Sequence, residues 1–416
     1  MRHLYRKAVL IGLGFFAACV IWTVYNTYVP LILSTHIAST FLIGLITAVT
    51  NVVGAALHPV FGALSDRTDT RFGRRMPYLL IGVPMSAAIL AFIPAAQNIV
   101  ALIALLAGLN AAMSVWRTPS FALMPDLTPS RLLSQSNGVM NFMGGLGMLL
   151  AFGVGGLLFN HGGMPLPFAA AAVMAILALV VMKLFLHEPK KPVLPENGED
   201  DADETADRPS GTGYPSKKRS LTAVLLSLMF YSIGLNAIEV FFSLYVTTSL
   251  MDATGRPLAG GDASLLMGVF SLTFLLCSIP AGFIASRIGR KRTILIALAG
   301  VASFLFAFYT ADQQNLLIPV LIAGSACCAA ANTNFLPVVT GMAGHSMFGK
   351  YTGYYHFITF GSTIISPLLF GLIRDWTQTY RILFLFSGIA FFIALIPLLF
   401  VAKGDGEAKS DIEAAV

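Results

Sequence analysis

From Ala8 to Ser65 the chain carries no Asp, Glu, Lys or Arg, and the same is true of 76–116, 132–182 and 313–349. About 20 apolar residues cross a bilayer as a helix, so each of the first three runs is long enough for two crossings. Charged residues make up 11% of the 416 residues, against roughly a quarter in soluble domains. A water-soluble fold is thereby excluded. Met1 to Lys7 followed by an apolar stretch resembles a secretory leader, and Phe16-Ala-Ala-Cys19 resembles a lipoprotein cleavage box. The stretch from Ala8 to Leu33 is too long for a leader core, and apolar spans continue to the end. It reads as the first span.

Hydropathy places spans near 8–33, 39–63, 77–97, 99–123, 135–159, 166–186, 221–249, 263–285, 293–311, 315–341, 351–373 and 381–402. Basic residues orient them. With the N-terminus inside, the cytoplasmic segments hold 22 of the 26 Lys and Arg, the outer loops hold Arg256, Arg374 and Arg381, and Arg117 lies within a span. This bias predicts a multi-pass inner-membrane protein with both termini cytoplasmic. The net charge of +6 is then a property of basic loops, with no nucleic-acid partner implied; the partner is the lipid bilayer. Cys19, Cys277, Cys327 and Cys328 all fall in apolar runs without metal-ligand spacing, and read as buried thiols. No metal and no cofactor is expected. The segment 187–220 starts Pro-rich, turns acidic from Glu196 to Asp207 and ends basic at Lys217, Lys218 and Arg219. Such composition cannot bury a core and predicts a disordered cytoplasmic linker.

The two halves repeat. Gly62-Ala-Leu-Ser-Asp-Arg67 aligns with Gly282-Phe-Ile-Ala-Ser-Arg287, each followed by a basic cluster, Gly73-Arg74-Arg75 and Gly289-Arg290-Lys291. Asn26 aligns with Asn236, and Asn137-Gly138 with Thr352-Gly353, all at offsets between 210 and 220 residues. A duplication follows, with an N-terminal six-helix bundle (1–186), the linker, a C-terminal six-helix bundle (221–403) and a cytoplasmic tail (404–416).

Gly282-x-x-x-Ser286-Arg287-x-Gly289-Arg290-Lys291 resembles the loop motif of the major facilitator superfamily, with Ser286 where Asp is usual. The first copy keeps the acid, Asp66, and inserts Thr-Asp-Thr-Arg before Phe72 and Gly73. Ser65-Asp-Arg-x5-Gly-Arg-Arg-x-Pro-Tyr78 resembles the branch of glycoside–cation symporters and sucrose- and maltose-type carriers. Trp22-Thr-Val-Tyr-Asn-Thr-Tyr28, Asn236-Ala-Ile-Glu-Val-Phe-Phe-Ser-Leu-Tyr245 and Tyr351-Thr-Gly-Tyr-Tyr355 resemble bacterial members of the sucrose-type group. The resemblance implies an all-α membrane fold of twelve transmembrane helices in two pseudo-symmetric bundles. It also implies a gating role for Gly62, Asp66, Arg67, Gly73, Arg74, Arg75, Gly282, Arg287, Gly289 and Arg290. Physically, Asp66 can cap a helix N-terminus, and the arginines can bind carboxylates such as Asp126 at the end of span four. The plainer alternative is that these basic residues only obey the positive-inside rule.

A charge at mid-bilayer costs on the order of 3 kcal/mol, so each intramembrane ionisable group asks for a reason. Glu239 lies in span seven between Ile238 and Val240; it either loads and releases a proton or makes a fixed helix–helix hydrogen bond. Arg117 either snorkels toward Asp126 or the headgroups, or faces a cavity. His58 and His356 either relay protons or pack as hydrogen-bonded side chains. Thr50 stands before Asn51, where many bacterial relatives carry an acid, which weakens a proton path through span two. Trp22, Tyr25 and Asn26 share a helical face at i, i+3 and i+4, and an aromatic platform beside an amide suits a sugar. Asn236 supplies the symmetric amide one turn from Glu239. Ordinary helix packing is the alternative for all four. Gly147, Ala151 and Gly155 form a small-residue stripe for helix packing, not a nucleotide loop.

The expected function is that of a secondary carrier of a small solute, a saccharide or glycoside taken up with a proton by alternating access. No phosphate-binding loop is present to couple ATP. An exporter of sugars or drugs uses the same parts. A membrane-embedded Mg²⁺-dependent transferase would need Asp66 and Asp69, or the acidic run 200–207, as ligands, and the arginines around Asp66 oppose it. A non-transporting solute sensor of the same fold is the remaining class.

Overall fold

In the computed structural model, which describes residues 2–128, 133–186, 214–311, 313–342 and 348–401, the described parts of the charge-free runs are helical except at short connections such as 37–39 and 96–98. The helices are α1 (Arg2–His36), α2 (Thr40–Arg67), α3 (Met76–Phe92), α4 (Ile99–Leu127), α5 (Leu133–Gly162), α6 (Pro165–Phe185), α7 (Tyr214–Ser249), α8 (Gly260–Ile288), α9 (Arg290–Ala311), α10 (Leu317–Gly341), α11 (Phe348–Thr377) and α12 (Ile382–Leu399). All twelve are long and apolar enough to cross a membrane. The protein is therefore an all-α, twelve-span membrane protein. Several helices run past the hydropathy spans: α2 continues to Arg67 and α7 begins at Tyr214, before the 221 expected. The rest of the linker (187–213) and the tail (404–416) lie outside the described residues.

Local chemistry sets the boundaries. Ser39 caps α2 by accepting from Leu42 N, and Asn98 caps α4 by accepting from Ala101 N at 2.8 Å, the usual role of short polar side chains there. Gly73 and Gly289, at matching places in the two copies of the loop motif, both take positive φ, 103° and 92°. L side chains rarely adopt that region, which explains glycine in both copies. Large apolar side chains such as Phe92, Leu276, Ile279 and Phe283 are exposed, as a membrane-spanning helix tolerates.

By internal contacts the chain divides into two compact units. The first comprises Met1–Gly198, Glu239–Ser271 and Arg374–Tyr380. In it α1 packs along α5 and α6, and α4 along α2 and α3. A Cβ at Gly147 of α5 would stand 2.7 Å from the Phe16 carbonyl oxygen of α1, so the small residue there sets the helix separation. The second unit comprises Glu199–Ile238, Leu272–Ile373 and Arg381–Val416. There α9 packs on α10 and α12. Tyr231 of α7 donates to the Cys328 carbonyl at 3.1 Å, with ring centroids 5.2 Å from Phe335 and 5.7 Å from Phe391. Ser366 and Ser387 donate to the Ile233 and Gly234 carbonyls of α7 at 2.6 and 2.9 Å. Hydroxyl-to-carbonyl bonds of this kind join helices where water is absent.

Candidate functional site

The loop between α2 and α3 builds a compact charge network. Arg75, with 6% of its side chain exposed, reaches Asp126 through Nε at 3.0 Å and Asp66 through Nη2 at 2.5 Å, and donates to Ser65 Oγ. Arg74 Nη2 meets the same Asp126 oxygen at 3.1 Å. Burial lowers the Arg75 pKa, but hydrogen bonds and charge from Asp126 and then Asp66 outweigh it and hold the guanidinium above its ordinary value. Arg67 and Asp66 are exposed, and a Cβ at Gly62 would meet the Thr118 methyl at 3.1 Å. The second copy is built differently. Arg290 Nη1 lies 3.5 Å from the Pro337 carbonyl near the end of α10, and Lys291 Nζ donates to the Val401 carbonyl at 2.5 Å. Arg287 is exposed and Gly282 stands in open space. Carbonyls at helix ends, which carry partial negative charge, take the place that Asp126 fills in the first copy.

Inside the first unit, α1 and α4 present the intramembrane site. The Arg117 guanidinium lies 5.6 Å from the Trp22 ring and 5.7 Å from the Phe121 ring, within cation–π range. Trp22 stacks on Tyr25, centroids 5.5 Å apart and planes 11° from parallel. Tyr25 is buried at 1% exposure, and its hydroxyl hydrogen-bonds Thr50 Oγ1 at 3.0 Å. Thr50, where an acid would have been a candidate proton carrier, thus anchors the ring that backs Trp22. Of the two rings, half-buried Trp22 is the one with surface left to offer a ligand. Phe121 in turn meets Phe15 edge-on at 5.1 Å.

Two further ionisable groups cluster here. Cys19, one turn before Trp22, lies within electrostatic reach of both Arg117 and Glu239. His58 lies within reach of Arg117, and its Nδ1 is 3.2 Å from Thr118 Oγ1. Glu239 and Arg117 are both half-buried. The structure thus gathers Trp22, Tyr25, Arg117, His58 and Glu239 in one unit. Asn26, on the same helix, is buried at 6% exposure. Asn236 sits in the second unit, at 5% exposure, and its Oδ1 has no hydrogen-bond partner among the described residues. His356, also of the second unit, is exposed beside Tyr355, ring centroids 5.3 Å apart. Phe121 and Thr118 went unread in the sequence, and Cys19 was read only as a buried thiol; their only signal is helical spacing, i−3 from Trp22 for Cys19 and i+4 from Arg117 for Phe121. Among the described residues no three His, Cys, Asp or Glu are grouped to hold a metal.

The model of the Major Facilitator Superfamily matches residues 11–261 and 224–415. Among curated relatives, a class H tetracycline resistance protein of Pasteurella multocida is 25% identical over 86% of this chain and 86% of its own length. A class E tetracycline resistance protein of Escherichia coli is 24% identical over 78% of this chain and 77% of its own. An isoprimeverose transporter of Lactiplantibacillus pentosus is 25% identical over 62% of this chain and 54% of its own. Among solved structures, a D-xylose–proton symporter superposes with a TM-score of 0.71 at 17% identity, covering 97% of this chain and 98% of that one. A bacterial homolog of the human lysosomal transporter Spinster gives 0.71 at 13% identity, covering 98% and 99%. At such identities the structural likeness shows the fold.

Proposed function

The chain belongs to the major facilitator superfamily and is a transporter, not an enzyme, and from that premise we propose that it carries a saccharide or glycoside together with a proton. The bodies that move are the two six-helix bundles, 1–186 and 221–403, rocking so that one site faces each side in turn. Both termini face the cytoplasm of a bacterial inner membrane, a reading supported by the 22 of 26 basic residues on that side.

The observation that carries the proposal is the approach of the Arg117 guanidinium to the half-buried Trp22 ring, at 5.6 Å. An aromatic face offers a surface for sugar C–H groups, and the guanidinium offers five donors for hydroxyls. A protonated Glu239 is neutral and an ionised one is not, so the net charge of the site changes with one proton. That change couples solute to proton. Asn26, Asn236, His58 and His356 are assigned supporting roles, as amides for hydroxyls and as proton relays. The loop-motif residues, with Arg75 between Asp66 and Asp126, regulate the cytoplasmic face. The isoprimeverose transporter and the D-xylose–proton symporter among the similar proteins support the choice of solute and ion.

The test is reconstitution of the full chain in liposomes with labelled mono- and disaccharides under an imposed pH gradient, and then a sodium gradient. Accumulation driven by the pH gradient is expected; no gradient-driven accumulation of any saccharide would refute the proposal. The similar tetracycline resistance proteins favour a second reading, proton-coupled export. In the same vesicles it predicts that solute moves against the proton flux instead of with it.

A further inference from the structure

Opposite the loop motifs, the ends of four helices are joined by two polar contacts that neither the solute site nor the charged loop uses. α2 begins at Thr40, and a helix start leaves free N–H groups and a partial positive charge. Thr40 N and Phe41 N donate to the Asp375 carboxylate at 2.8 and 3.0 Å, and Ser39 Oγ donates to it at 2.6 Å. Asp375 belongs to the last turn of α11, so the cap comes from a helix of the other repeat. Thr40 Oγ1 and the Tyr380 hydroxyl are also 2.9 Å apart. The second contact joins α5 to α8. Asp262 in the first turn of α8 accepts from Ala259 N and from Asn160 Nδ2 of α5, both at 2.9 Å. The backbones touch there: a Cβ at Gly156 would lie 2.7 Å from the Gly261 oxygen, and one at Gly261 would lie 2.6 Å from the Gly156 oxygen.

α2 and α8 start 220 residues apart, and α5 and α11 end 215 residues apart, which matches the offset of the internal repeat. The two contacts are therefore copies of one joint, in which the second helix of each repeat begins against the end of the fifth helix of the other. The copies have diverged. The α5–α8 copy is a backbone seam with one amide–carboxylate bond; the α2–α11 copy is a carboxylate that takes three donors from the start of α2 and a fourth, Arg374 Nη1 at 3.2 Å, from its own helix.

We propose that Asp375 is a releasable latch on the outer face: it binds the start of α2 in the conformation described here and lets go when the solute site opens to that face. This rests on the alternating-access reading and on the orientation given above. Release leaves α2 intact, because Ser39 Oγ already accepts from Leu42 N at 3.2 Å and remains as the helix's own cap. The carboxylate regains water at the surface. The exchange of charge-assisted bonds for hydration is what makes the joint reversible, whereas the α5–α8 seam holds by packing.

The experiment uses the full chain in nanodiscs, with Cys19, Cys277, Cys327 and Cys328 replaced and spin labels at H161C and A253C, on α5 and the α7–α8 connection. Electron–electron distance measurement then reports the ratio of separated to apposed outer ends. Asp375→Asn is expected to raise that ratio about tenfold, equivalent to about 1.4 kcal/mol. Thr40→Pro removes the Thr40 N–H donor to Asp375 and the Thr40 Oγ1–Tyr380 bond, and Thr40→Val, which loses only the latter, is its control; proline is well tolerated at the first helical position, and Ser39 already has the extended backbone (φ −78°, ψ 121°) that a following proline requires. Thr40→Pro is expected to raise the ratio several-fold, and it decides the matter alone if Asp375→Asn does not fold. A ratio within twofold of wild type in the folded Asp375→Asn and Thr40→Pro variants overturns the latch. If Asn160→Ala separates the labels while the Asp375 and Thr40 variants do not, the latch falls and alternating access stands. If one distance persists in every variant, the latch and the alternating-access reading fall together.

Discussion

Replacing Asp126 with Asn tests how firmly the loop between α2 and α3 is held. Asp126 Oδ2 is the shared acceptor for Arg74 Nη2 at 3.1 Å and Arg75 Nε at 3.0 Å. Removing one partner of a buried, hydrogen-bonded charge pair costs about 3–5 kcal/mol. Here the loss is smaller, because Arg75 keeps Ser65 and Asp66, and Asp66 is 60% exposed and screened by solvent. The side-chain oxygen of the new amide can also still accept one bond. The coupling between Arg75 and Asp126 should therefore be about 2 kcal/mol in a cycle of Arg75→Ala and Asp126→Asn. The parallel cycle with Arg74, whose side chain is 21% exposed, should give about 1 kcal/mol or less. Unfolding in dodecyl sulfate mixed micelles, followed by fluorescence of the three tryptophans, measures both cycles on the full chain. A coupling below about 0.5 kcal/mol for Arg75–Asp126, or equal couplings for the two arginines, would refute this account of the network.

Two further predictions concern the intramembrane site. Trp22→Ala should raise the half-saturation concentration about tenfold, on the order of 1.4 kcal/mol of lost ring contact, and Arg117→Lys should behave similarly because an ammonium lacks the planar guanidinium's donors; unchanged uptake kinetics in both would move the site elsewhere.

The spans were legible because bilayer and sequence obey the same constraint: a run without charge, such as 76–116, has nowhere else to fold. The duplication was legible because backbone geometry left a residue mark, with Gly73 and Gly289 both in the left-handed region. Helix ends were less so. Residues past the apolar core, such as Ser65 to Arg67 or Tyr214 to Ser220, stay helical without a hydropathy signal. Side-chain partners of the candidate site divide the same way. Trp22 and Tyr25 are near neighbours on one helix, and their stack follows from spacing. The Tyr25–Thr50 bond and the approach of Arg117 to Trp22 join different helices, and no local pattern announces them. Asp375 is the extreme case: its partner is 335 positions away, and in the sequence it looks like one more polar residue at a span end.

In the function proposed above, a proton on Glu239 drives solute through a site open to each side in turn. Uphill uptake under a pH gradient and solute exchange without a gradient, measured in the same proteoliposomes for wild type and Glu239→Gln, test it most directly. The account predicts that the variant loses gradient-driven accumulation and keeps exchange, since a fixed neutral side chain permits the conformational cycle only with solute bound. Accumulation in the variant equal to wild type would contradict it.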